Sequence, residues 1–109
     1  MSDEIQTTIK EVVENNDVVL FMKGTKETPQ CGFSNAVVNT LSFMNVDFKD
    51  VNVLENDSLR EGIKSFTDWP TIPQLYVKGE FVGGCDIIQD MYKSGELSEV
   101  LKAKNISHS

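Results

Sequence analysis

The sequence predicts an α/β fold: a four-stranded mixed sheet flanked by helices, with an extra helix at the N-terminus. Three observations predict it. "VVLFM" at 18–22 is a short unbroken apolar run, the pattern of a central strand covered on both faces. A helical pattern and a second strand-like run follow it, and a strand, a crossover helix and a strand make a right-handed parallel unit. "QLYVKGEFVGG" at 74–84 reads as two strands around a tight Lys78-Gly79 turn, which adds antiparallel strands to the same sheet. Helices on both faces would cover that sheet.

The elements follow in order. Ile5, Ile9, Val12 and Val13 recur at helical spacing behind Ser2-Asp3, which can cap, so a first helix is expected near 3–15. Asn15-Asn16-Asp17 stops it. After the 18–22 strand, "KGTKETPQ" (23–30) is rich in turn formers and reads as a loop, with Lys26 and Glu27 as solvated charges. Phe33, Val37, Leu41 and Met44 predict a helix over 32–44, with Cys31 at its start. "VDFKDVNV" (46–53) reads as an imperfectly alternating strand. Asn56-Asp57-Ser58 caps a helix near 58–67 whose inner face carries Leu59, Ile63 and Phe66. Beyond the hairpin, Asp86 can cap a helix with Ile87, Ile88 and Met91 facing in, and Gly95 ends it. A last short helix carries Leu97, Val100 and Leu101. The tail "NISHS" has little to bury and is expected to fray.

Length and composition bound the function. The 109 residues are expected to form one domain, 1–109, with an ordered core over about 3–103. The chain carries 10 basic and 17 acidic residues, for a net charge of −7, which argues against a nucleic-acid partner. No apolar run approaches membrane length. The N-terminus has neither a signal-type apolar core nor a basic, Ser-rich start. Two cysteines suit a reducing compartment rather than a disulfide scaffold.

Four places carry chemistry. Cys31 sits where free N–H groups and the positive end of a helix dipole favour a thiolate, and the Lys23 ammonium at the end of the first strand would favour it further. The bland alternative is a small buried hydrophobe, against which the polar loop and Gly32 weigh. Ser34 occupies the place where a Cys-x-x-Cys pair would have its second thiol. Cys85 follows Gly83-Gly84 and is either a packing residue, a resolving thiol or part of a ligand clamp through its backbone. "DWPTIPQL" (68–75) holds two prolines; a cis Pro73 would leave the Ile72 backbone free to pair with an extended peptide, and an ordinary turn is the alternative. Arg60 and Lys64 share a helix face, either as solvated charges or as a clamp for a small carboxylate. His108 falls in the tail and is not expected to be a ligand.

The thiol count limits metal chemistry. A [2Fe–2S] cluster takes four thiolate ligands, and a zinc site takes four Cys or His ligands. Cys31 and Cys85 lie 54 positions apart and the one histidine is in the tail, so the chain does not close either site by itself. Cys31 from each of two chains plus two small-molecule thiols would complete the set.

"KGT…PQCGFS" (23–34), "WPTIPQLYVKGEFVGGCD" (69–86) and "MYKSGEL" (91–97) closely resemble the monothiol glutaredoxins of the CGFS type, over about residues 5–103. The resemblance implies a thioredoxin fold with Pro73 cis, and glutathione as ligand. It implies that Lys23, assisted by Arg60, pairs with the glycine carboxylate of glutathione. The Ile72 backbone would bond its cysteinyl part. Cys85 and Asp86 would hold its γ-glutamyl end, with Asp86 on the ammonium group, while Thr71 and Gly84 line the groove. Cys31 would be the reacting thiol and cluster ligand. The family also implies a labile [2Fe–2S] cluster bridged between two protomers by Cys31 of each and two glutathiones, transfer to apo iron–sulfur proteins, and BolA-family partners. A cytoplasmic location is expected, or an organelle matrix where a targeting peptide is removed.

Two functions compete on these residues. A cluster carrier is favoured by Ser34, since no local thiol resolves a mixed disulfide. The long 23–30 loop, on the family pattern, would shift how glutathione sits over Cys31. A glutathione-dependent thiol–disulfide oxidoreductase needs only Cys31, because free glutathione resolves the intermediate. A third possibility, a degenerate domain that only binds partners, is disfavoured by the intact ligand set.

Overall fold

The computed structural model describes residues 2–109, with side chains from residue 4 onward. Its helices are α1 (Ser2–Asn15), α2 (Gly32–Phe43), α3 (Asp57–Thr67), α4 (Cys85–Ser94) and α5 (Glu96–Ala103). Its strands are β1 (Val18–Met22), β2 (Lys49–Asn52), β3 (Gln74–Val77) and β4 (Glu80–Gly83). The sheet order is β2-β1-β3-β4. β2 runs parallel to β1, and β3 and β4 are antiparallel to their neighbours.

The apolar run of β1 is explained by its place. It is flanked by strands on both edges and every residue is buried. Successive side chains point to opposite faces. Val18, Leu20 and Met22 join Leu75 and Val77 beneath α2, α4 and α5. Val19 and Phe21 join Tyr76 beneath α1 and α3. The β3–β4 turn has positive φ at both Lys78 and Gly79, the twist a two-residue hairpin needs. Lys78 is tied down there by its N–H to Asp17 O (2.7 Å) and its ammonium to the Asp17 carboxylate (3.1 Å).

Asn56 caps α3 through its side chain, which accepts from Leu59 N–H at 3.1 Å. The capping role expected of Ser2 and Asp3 lies outside the described side chains. α1 and α3 approach closely at Gly62, where an added Cβ would lie 2.3 Å from Ile5 Cγ2. Burial beneath these helices pushes the Tyr76 phenol up to about 12.

Several expectations are corrected. Phe33 does not face the core: it is 63% exposed, while Ser34 is fully buried. Ile87 is exposed where Ile88 is buried. Asp86 does not cap α4; Gly84 holds that place, with no side-chain bond, and Asp86 sits in the first turn. Strand pairing begins at Lys49 rather than 46, although Val46 and Phe48 are buried. Lys26 is not a solvated charge: its ammonium donates to Phe48 O at 2.7 Å and lies over the Phe48 ring. The tail packs instead of fraying. Ile106 is buried, Ser109 N–H donates to Met44 O, and the His108 ring bridges Ser98 Oγ and Ile106 O.

Gly62→Ala should force α1 away from α3 and destabilise the fold by roughly 1–3 kcal/mol, the usual cost of overpacking. Denaturant unfolding measures it; an unchanged midpoint would mean the contact is not tight.

Candidate functional site

The site forms where β1 ends. Lys23 leaves the strand, and its N–H donates to the buried Ser34 Oγ at 3.1 Å. Gln30 N–H returns to Lys23 O at 2.9 Å, so the 23–30 segment closes on itself. Gly24 pairs with Pro29 inside that segment and has φ +91; a Cβ there would lie 2.6 Å from both Gln30 N and Thr28 O. Asn52 Oδ1 accepts from Gly24 N–H and Asp50 Oδ2 from Lys26 N–H, which fastens the loop to β2. Cys31 emerges from this closed loop as the N-cap residue of α2.

Its surroundings favour the thiolate. The N–H groups of Ser34 and then Phe33 face the sulfur, the Lys23 ammonium adds positive charge, and these outweigh partial burial, so the thiol sits below its ordinary pKa. No side-chain hydrogen bond closes the cap. Cys85 behaves oppositely. Burial pushes its thiol up, with Asp86 and Cys31 adding like charge. Both cysteines are free and half-buried.

Between α3 and β3 runs the 68–73 segment, with a cis Ile72–Pro73 bond. Pairing with β1 starts at Gln74, so Ile72 stands outside the ladder. The segment forms a ridge with a cleft on either side. One cleft, of about 240 Å³, is lined by Lys23, Phe33, Arg60, Lys64, Thr71 and Ile72. The other, of about 180 Å³, brings Gly84, Cys85 and Asp86 against Trp69, Thr71 and Ile72. Of the candidate residues named from the sequence, Lys23, Arg60, Thr71, Ile72, Gly84, Cys85 and Asp86 fall on these two clefts; Cys31 lines neither and stands two residues before Phe33, which lines both. The first holds three cations and the second an exposed carboxylate.

Gly84 is where the second cleft is tightest. A Cβ there would lie 3.2 Å from Trp69 Nε1 and 3.3 Å from Pro73 O. Two donors are buried without a partner among the described residues, Arg60 Nε and Trp69 Nε1. Such groups are costly unless something accepts from them. The apolar pattern places Phe33 inward where the structure exposes it, and it gives no sign that Ser34 is buried or that Ile87 lies on the cleft wall. Ser34 had a signal in its spacing from Cys31, but nothing in sequence shows that its oxygen is committed to Lys23.

The fold, with a cysteine at a helix start and a cis proline leading into β3, defines a thiol protein of the thioredoxin class. The glutaredoxin family model matches residues 18–82. Among curated relatives, "Monothiol glutaredoxin-S7, chloroplastic" of Oryza sativa subsp. japonica is 52% identical over 107 residues, covering 98% of this chain and 64% of that protein. "Probable monothiol glutaredoxin 2" of Rickettsia typhi is 57% identical over 94 residues, covering 86% and 85%. The solution structure of reduced poplar apo GrxS14 is 55% identical, with a TM-score of 0.82 and 92% of each chain covered. A buckwheat glutaredoxin–glutathione complex shares the fold at 19% identity and a TM-score of 0.84, covering 95% of this chain and 93% of that one. This chain belongs to the glutaredoxin family and, within it, to the monothiol glutaredoxins.

Alkylation of each thiol against pH checks the electrostatics. In Cys85→Ser, the rate for Cys31 should rise through a midpoint below that of ordinary cysteine, about 8.5. In Cys31→Ser, the midpoint for Cys85 should lie above it. The reverse order would contradict the thiolate assignment.

Proposed function

We propose that this protein binds glutathione and, with Cys31, assembles and transfers a labile [2Fe–2S] cluster bridged between two protomers. One observation carries the reading. The thiolate-favouring Cys31 opens α2, and the place of a second thiol holds a buried serine already bonded to Lys23 N–H. A Cys-x-x-Cys dithiol cycle is therefore not available at this helix start.

Glutathione fits the two clefts by charge. Lys23 and Arg60 suit the glycine carboxylate, and the unpartnered Arg60 Nε supports an acceptor there. Ile72 offers backbone groups outside the ladder to the cysteinyl part. Asp86 suits the ammonium group of the γ-glutamyl end, with Thr71, Gly84 and Cys85 beside it. The glutathione complex of the buckwheat neighbour supports the same choice of ligand.

The cluster is cargo, and the donor set bears on how it is held. Among the described residues, no group of three or more His, Cys, Asp or Glu is gathered to hold a metal ion. Two protomers' Cys31 thiolates and two glutathione thiolates supply the four ligands a [2Fe–2S] cluster takes. Two of the four are diffusible, so retention follows glutathione concentration by mass action. Apo iron–sulfur proteins are the recipients and a BolA-family protein the partner this reading implies. The place of action is the cytoplasm or an organelle matrix. Among the described residues no helix is long and apolar enough to cross a membrane.

The depressed Cys31 thiol also supports a second activity, removal of glutathione from mixed disulfides. The thiolate attacks the glutathione sulfur, forms a Cys31–glutathione disulfide and expels the protein thiolate. A second glutathione thiolate then attacks that disulfide, releasing oxidised glutathione and restoring Cys31.

Anaerobic reconstitution with iron, sulfide and glutathione tests the reading. A coloured dimer should form with glutathione and not without it, by visible spectrum and size-exclusion mass. Cys31→Ser should abolish the colour and keep the fold. A colourless monomer that reduces glutathione mixed disulfides would instead favour the oxidoreductase. Cys85→Ser should retain the cluster, since only its backbone is used; complete loss of colour would refute that role.

A further inference from the structure

Gln74 is fully buried and lies directly behind the ridge that separates the two clefts. Its side-chain nitrogen donates to Trp69 O at 3.2 Å and to Thr71 O at 3.1 Å. Its oxygen accepts from the Tyr76 hydroxyl at 2.9 Å and lies 2.9 Å from the Thr67 hydroxyl, whose single proton also has Ile63 O within 3.0 Å. A primary amide has two N–H donors and two acceptor sites; here both donors are used and the oxygen has the Tyr76 hydroxyl. The orientation is fixed by the ridge itself. Turning the amide over would set its oxygen against two carbonyl oxygens.

The bonds connect elements with different roles. Thr67 closes α3, the helix that carries Arg60 and Lys64. Tyr76 lies in β3 at the centre of the sheet. Trp69 and Thr71 flank Pro70 in the ridge, and Thr71 and Ile72 line both clefts. The 68–73 segment lies between α3 and β3 and belongs to neither ladder nor helix. Its carbonyls therefore need a partner from outside regular structure, and Gln74 supplies it twice.

We infer that Gln74 is a positioning residue for glutathione: its amide holds the Trp69 and Thr71 carbonyls, fixing the ridge so that Thr71 and the Ile72 backbone meet the ligand in register with Arg60. This rests on the glutathione reading above. Gln74 touches no ligand itself. It acts through the ridge, and Cys31 lies outside its set of partners.

Two substitutions test it, with anaerobic calorimetry of reduced glutathione and the alkylation rate of Cys31 read on each. Gln74→Met keeps the length and buries no new polar group, but leaves both ridge carbonyls unpaired. Glutathione affinity should fall about tenfold, in keeping with a buried group left unsatisfied, while Cys31 alkylates at the parent rate. Gln74→Glu keeps the shape and sets a carboxylate against the two carbonyls. Its affinity should be lowest at neutral pH and recover relative to the parent on acidification, as the protonated carboxyl donates to one of them. Tyr76, the one titratable residue bonded to this position, stays neutral across that range because burial holds it near 12. If Gln74→Met fails to fold, the Gln74→Glu profile decides alone.

Parent-like affinity in either folded variant, or a Gln74→Glu profile parallel to the parent's, would overturn the assignment. So would a Cys31 rate that falls in step with affinity, because Gln74 would then support the whole domain rather than the ridge. A parent protein that binds no glutathione would refute the functional reading itself, a result recognisable before any variant is made.

Discussion

One hydrogen bond joins the scaffold to the chemistry: Lys23 N–H to the buried Ser34 Oγ. Lys23 is the first residue after the central strand, and Ser34 lies in the first turn of the helix that crosses over it. The bond fixes how far apart these two ends sit. With Gln30 N–H returning to Lys23 O, it leaves Cys31 one exit from the loop, at the helix N-terminus. The thiol's lowered pKa follows from that place, since the N–H groups of the same turn and the Lys23 charge all act on it. The helix start has one thiol for the same reason. The position that would carry a second is occupied by an oxygen the fold needs.

The rest of the site is built around polar residues that satisfy backbone outside regular structure. Asn52 and Asp50 hold the 23–30 loop to β2, and Gln74 holds the 68–73 ridge to β3. An unpaired backbone group in such a place costs on the order of 1–3 kcal/mol. These side chains make the irregular segments as definite as the strands. Beside them, Arg60 Nε and Trp69 Nε1 are buried without a partner among the described residues.

Much of the fold was legible because burial and turn chemistry leave marks in residue type. The unbroken 18–22 run marked the buried central strand, Lys78-Gly79 marked the hairpin, and Asn56 marked the start of α3. What escaped was polar residues facing inward. Apolar spacing put Phe33 on the inner face of α2, yet Ser34 takes that side because its oxygen has a partner across the core edge. Lys26 looked solvated because its acceptor, Phe48 O, is 22 residues away in sequence. Ile106 was passed over as a lone apolar residue in a polar tail, although α5 turns it back onto the cluster that holds Leu97 and Leu101. Most of the cleft residues lie in the motifs that carried the resemblance; Arg60 does not, and only the fold brings it beside Lys23. Their division by charge needed the fold.

The Ser34 oxygen locks the junction from which Cys31 acts. Amide hydrogen exchange at Lys23 tests it most directly, compared between the parent and Ser34→Ala. The account predicts a protected Lys23 amide in the parent that exchanges much faster in the variant, while the β1 amides 18–22 stay protected in both. Equal exchange at Lys23 in the two proteins would contradict it.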